Sequence, residues 1–103
     1  MAHITGGGLE ENLTRAVPHP LSVVIQRDAW EMPKLFKKIQ KLGNISSNDM
    51  LKVFNCGVGF CIIIKKKNLN KVKLTFDMKF KPYVIGKISK NKKKVNLSGK
   101  INW

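Results

Sequence analysis

The stretch His3-Ile-Thr-Gly-Gly-Gly-Leu-Glu-Glu-Asn12 is where the chain turns from strand into helix, and its reading decides the fold. Three consecutive glycines make a tight bend, because glycine adopts positive φ without steric cost. The short apolar lead before them, Ala2 to Ile4, is expected to end a strand. After them, Leu9 to Val17 is made of helix formers, with Glu10 and Glu11 in the first turn, where the helix dipole favours acids. The free N–H groups of that helix point back into the bend, so the segment reads either as a plain tight turn or as a phosphate cradle. His3 reads likewise as a structural histidine or as a proton-transfer group.

Outward from that helix, Pro18-His19-Pro20 stops it, since proline restricts the residue before it and cannot continue the ladder. Leu21 to Gln26 is β-branched and reads as a strand. Pro33 suits the first position of a second helix, on which Leu35, Phe36, Ile39 and Leu42 share one face and Gly43 caps the end. Ser46 or Ser47 can cap a third, short helix with Met50, Leu51 and Phe54 inward. Asn55-Cys-Gly-Val-Gly59 is a second glycine bend, either structural or lining a ligand, because Gly57 and Gly59 permit close backbone approach. Cys56 within it has no neighbouring base that would make it a nucleophile. Phe60 to Ile64 is a continuous apolar run, expected as a strand buried on both faces.

Residues 69–80 are ambiguous: Val72, Leu74, Phe76, Met78 and Phe80 alternate as a strand would, while Leu69, Val72, Phe76 and Phe80 fit a helical stripe. Tyr83 to Ile88 reads as a strand, Asn91 to Lys94 as a hairpin turn, and Val95 to Leu97 as the last strand. There are no internal repeats and no linker.

Twenty Lys and Arg against six Asp and Glu give a net charge of +14 in 103 residues. That invites a nucleic-acid reading, and Phe76, Phe80 and Tyr83 lie among the lysines of 65–100 where they could stack on bases. However, only Arg15 and Arg27 are arginine, whose planar fork is what base edges and phosphates favour. Lysine excess alongside many Asn and Ile also follows from an AT-rich genome, leaving a solvated lysine face. Nucleic acid is therefore the alternative, not the first reading. No apolar run approaches the roughly 18 residues of a membrane helix, and the start Met-Ala-His-Ile-Thr has neither the basic nor the apolar region of a secretory signal. Cys56 and Cys61 are expected as reduced thiols; with His3 and His19 distant in sequence they do not make a zinc set. The expected compartment is cytoplasmic.

The two glycine segments together carry a more specific signal. The chain resembles the C-terminal domain of the phosphoribosylformylglycinamidine cyclo-ligase (AIR synthetase) family, whose pattern is H-[IL]-T-G-G-G-[FL]-x-E-N-[IL]-P-R, then W-x-x-P-x-[VL]-F, then M-x-x-x-F-N-x-G-x-G, then a strand like W-x-I-G. Here His3 to Arg15, Trp30 to Phe36, Met50 to Gly59 and Tyr83 to Gly86 fill those places in order. Thr14 replaces the usual proline and Tyr83 the common tryptophan. The resemblance implies an α+β fold: part of that C-terminal domain, with a mixed sheet of about four strands, about three to four helices packed on it, and a helix over residues 68–80.

It also implies function. The family closes the imidazole ring of aminoimidazole ribonucleotide from formylglycinamidine ribonucleotide in purine synthesis. It uses ATP and Mg²⁺ to activate the formyl oxygen before an amidine nitrogen attacks. ATP and metal belong mainly to an N-terminal domain, so residues 1–103 would be the C-terminal portion of the C-terminal domain. By that reading the chain begins midway through the domain, contributes one wall of the cleft, binds neither cofactor alone and is inactive by itself. The full-length family is homodimeric. By resemblance, Thr5 and the backbone of Gly6, Gly7 and Gly8 would hold a phosphate. Asn12, Asn55 and Gly57 would line the substrate, and His3 would be the catalytic candidate. An exposed sheet edge, uncovered helix faces and hence association are expected.

Overall fold

The computed structural model describes all 103 residues. The strands are β1 (Ala2–His3), β2 (Ser22–Gln26), β3 (Phe60–Cys61), β4 (Gly86–Ser89) and β5 (Val95–Ser98). The helices are α1 (Gly8–Ala16), α2 (Lys34–Gly43), α3 (Ser47–Val53) and α4 (Leu69–Thr75). The class is α+β, as expected. The strands, however, divide into two groups: a two-stranded ladder of β1 and β3, and a three-stranded mixed sheet in the order β4-β2-β5.

β2 takes the centre of the larger sheet because it is the most apolar strand, with Val23 and Ile25 buried. Val23 faces Ile88 of antiparallel β4 on one side and Val95 of parallel β5 on the other. Asn91 to Lys94 is therefore not a hairpin turn. The connection crosses the start of β2, held by the Asn91 N–H on the buried Ser22 hydroxyl (2.8 Å) and the Val23 N–H on the Lys94 carbonyl (2.8 Å). A crossing that would strand polar backbone is thereby satisfied.

The core joins Leu9 and Leu13 of α1, and Val17 just after it, to Met50, Leu51, Val23, Ile25 and Val95. Only 17 of 103 residues are buried, so stability rests on few side chains. Ser46 caps α3 through its hydroxyl, which accepts from the Asp49 N–H at 3.1 Å. Pro33 sits one place outside α2, and Asn44, not Gly43, takes the left-handed cap at φ 47°.

Two expectations shift and a third, the helix over 68–80, holds in part. Phe60 to Ile64 is not buried on both faces: pairing stops at Cys61, and Phe60, Ile62, Ile63 and Ile64 are exposed. The pairs formed are Ala2 with Cys61 and His3 with Phe60. The last antiparallel strand begins at Gly86 rather than Tyr83. Residues 69–75 are helical, as the resemblance implied against the alternation, with 3₁₀ turns at 66–68 and 78–80 on either side.

Candidate functional site

The first bend is closed by the Gly8 N–H donating to the Thr5 carbonyl at 3.0 Å. Gly7 and Gly8 have φ of 89° and 65°, the left-handed region, and a Cβ on Gly8 would fall on the Leu51 carbonyl. These two glycines are thus demanded by the fold. Gly6 is not: no atom lies within 4 Å of where its Cβ would stand.

Asn12, one turn into α1, holds the bend in shape. It is buried, and its amide donates to the carbonyls of Gly8 (2.7 Å), Thr5 (3.3 Å) and Gly6 (3.3 Å). Its own oxygen accepts from Arg15 Nη2 at 2.8 Å. Arg15 Nη1 reaches Glu11 at 3.2 Å, and the Glu11 carboxylate lies against Gly7. A side-chain anion thus already occupies one flank of the helix N-terminus.

The second bend is built differently. Asn55 Oδ1 accepts from the Gly57 N–H at 3.0 Å, and Cys56 and Gly57 both take positive φ. Trp30 Nε1 donates to the Cys56 carbonyl at 2.9 Å, and Pro33 sits where a Gly57 side chain would go. The Trp-x-x-Pro spacing is therefore explained by packing: it braces this bend. Gly59 has open space around it, as Gly6 has.

The two bends meet. β1 and β3 run antiparallel, and the Ile4 N–H donates to the Gly59 carbonyl at 2.9 Å, so both bends leave the same end of one ladder. His3 and Asn12 line one shallow cavity of about 220 Å³, with Arg15 beside them. Thr5, Gly6, Gly7, Gly8, Asn55 and Gly57 are not among its walls, and Asn55 is hydrogen-bonded to the Gly57 N–H of its own bend. The reading from sequence passed over Arg15 as a site residue, for which its place three residues from Asn12 was the signal; Gly59, read there as open to close approach, is set beside Ile4 by the ladder.

Cys56 and Cys61 are both buried free thiols. Burial pushes each up from 9.0 to about 11, the N-terminal ammonium lowering Cys61 by a smaller amount. They are protonated and unreactive at neutral pH. Burial also raises the Tyr83 hydroxyl, with Cys61 adding to it. No three His, Cys, Asp or Glu side chains converge to hold a metal, and no helix is long and apolar enough to cross a membrane.

Residues 1–97 match the family described as AIR synthase related protein, C-terminal domain. Among curated proteins, the chain is 38% identical over 91 residues to a phosphoribosylformylglycinamidine cyclo-ligase of Citrifermentans bemidjiense, covering 87% of this chain and 26% of that protein. It is 46% identical over 71 residues to the protein of that name from Cupriavidus pinatubonensis, covering 69% and 20%. A third, from Desulfitobacterium hafniense, is 40% identical over 90 residues, covering 86% and 26%. The chain thus spans about a quarter or less of the length of these relatives. Their names give no support to the nucleic-acid alternative.

Proposed function

Since the chain belongs to the family of AIR synthase related proteins, as their C-terminal domain, we propose that it is part of an ATP-dependent phosphoribosylformylglycinamidine cyclo-ligase of the cytoplasm. In this reading it forms one wall of the cleft that receives formylglycinamidine ribonucleotide. An N-terminal domain supplies the ATP site, the full-length protein is a homodimer, and the chain by itself is inactive.

One observation carries the reading: both family bends leave the same end of the β1–β3 ladder, tied by the bond from Ile4 to Gly59. Gly6 and Gly59 need not be glycine for packing, which supports close approach of a ligand to their backbone. The exposed Thr5 hydroxyl and the Gly6 and Gly7 backbone would hold the substrate phosphate. Gly8 closes the bend and Asn12 keeps it rigid. His3, exposed on β1, faces the same cavity as Asn12 and is the candidate for moving a proton. Asn55 and Gly57 would act through the shape of the second bend. Holding a reactant in one geometry is the main service such a wall can render to phosphoryl chemistry. The residues present do not make a site for Mg²⁺, because no acidic cluster exists, so metal and ATP are assigned elsewhere in the ligase.

The test is a chimera in which this chain replaces the matching 91 residues of the Citrifermentans bemidjiense relative. Retained ATP-dependent ring closure is the expected result. A folded chimera that binds ATP and closes no ring would refute the reading.

A further inference from the structure

A second cavity, of about 480 Å³, opens on the other flank of α1, between α3 and β5. Its size falls within the roughly 300–1,000 Å³ usual for small-ligand sites. Leu9 and Leu51, both buried, form its apolar floor. Three cations stand around it: Arg27 just beyond β2, Lys52 on α3 and Lys93 before β5. Glu10 is the one acid in the wall and pairs with Lys93 at 3.6 Å, an exposed and hence weak contact. The chain's other ion pair joins Arg15 to Glu11, so neither Arg27 nor Lys52 has a carboxylate partner.

We propose that this cavity is a binding site for a phosphate group, held by Arg27 and Lys52, with the organic part of a phosphate ester lying over Leu9 and Leu51. Arg27 is half-buried and anchored by its Nε–H on the Gly99 carbonyl at 2.8 Å. The anchor fixes the plane of the guanidinium and leaves its terminal N–H groups for an incoming oxyanion, the geometry that favours bidentate capture. Most other cations of this lysine-rich chain are exposed. Here a fixed fork faces a cavity with an apolar floor. The site lies beside the first glycine bend and contains none of its three glycines.

The test titrates the whole chain with ribose 5-phosphate and with inorganic phosphate at about 0.15 M salt, followed by amide chemical shifts. Saturable binding is expected at Arg27 and Lys52, read from their own amide shifts and fitted apart from any change at Thr5 to Gly7. Arg27→Gln should weaken it about tenfold or more, and Lys52→Gln several-fold. The Lys52 side chain is exposed and makes no hydrogen bond or ion pair within the protein, so its variant keeps an unchanged melting temperature. Lys71→Gln with Lys73→Gln, on α4, should leave affinity within about twofold. Tighter binding of ribose 5-phosphate marks an ester as ligand; equal binding marks the free ion, and either upholds the site. Binding that never saturates, or that falls as much with the α4 lysines as with Arg27, overturns the proposal in favour of diffuse charge.

Discussion

Gly8 and Gly6 stand two residues apart in the same bend and are glycine for different reasons. At Gly8 a side chain would take an unfavourable positive φ and strike the Leu51 carbonyl. Gly8→Ala is therefore expected to cost about 2 kcal/mol or more, read as a lower urea midpoint. Gly6→Ala meets open space and should leave the midpoint nearly unchanged, while lowering ring closure in the chimera. Equal loss of stability in both variants would show that the open side of Gly6 serves packing after all. Asn12→Ala strands three carbonyls and is expected to cost about 1–3 kcal/mol. The thiols give a pH dependence. Folding keeps Cys56 and Cys61 protonated up to about 11, whereas unfolded thiols ionise from 9.0. Their contribution is thus fully present below pH 9 and lost as pH rises towards 11. Chemical denaturation across that window should show falling stability, and Cys56→Ser with Cys61→Ser should flatten the fall.

Among elements, β2 and α4 are opposites. β2 is hydrogen-bonded on both edges and sends Val23 and Ile25 into the core, whereas no residue of α4 is buried. A helix of seven residues without a buried face has little beyond its own ladder to hold it. Native-state hydrogen exchange should therefore find the β2 amides opening only with global unfolding and those of α4 exchanging many-fold faster. Matching protection in the two would mean that α4 docks on the core in solution. The short α3 is held differently, by its Ser46 cap and the buried Met50 and Leu51. Ser46→Ala is expected to cost about 1 kcal/mol.

For the whole molecule, charge and exposed apolar surface act together. Residues 51–103 hold fourteen bases against one acid, and two weak ion pairs are the only ones formed. Self-repulsion of a +14 chain is screened by salt, so the melting temperature should climb by several degrees between about 0.02 and 0.5 M NaCl. A flat or falling curve would place the lysines in compensated positions. The molecule is broad and thin, 42 × 36 × 22 Å, and leaves Phe60, Ile63, Phe76, Phe80 and Tyr83 on its surface.

Sequence alone settled what depends on neighbours along the chain. The glycine bend before α1, the helix formers from Leu9, the proline stop after it, and the serine cap of α3 are local choices with local causes. An apolar run misled where burial decides: Phe60 to Ile64 reads as an interior strand, yet only Phe60 and Cys61 are paired and Ile62 to Ile64 are exposed. Likewise Asn91 to Lys94 looks like a hairpin, because nothing local reveals that β2 will stand between its strands. The candidate site divides in the same way. The motifs named both bends, but only the ladder brought them to one end. Only the side-chain geometry separated the glycines that the fold requires from the two it leaves open, since a clash with a carbonyl some forty residues away is not written in any short stretch of chain.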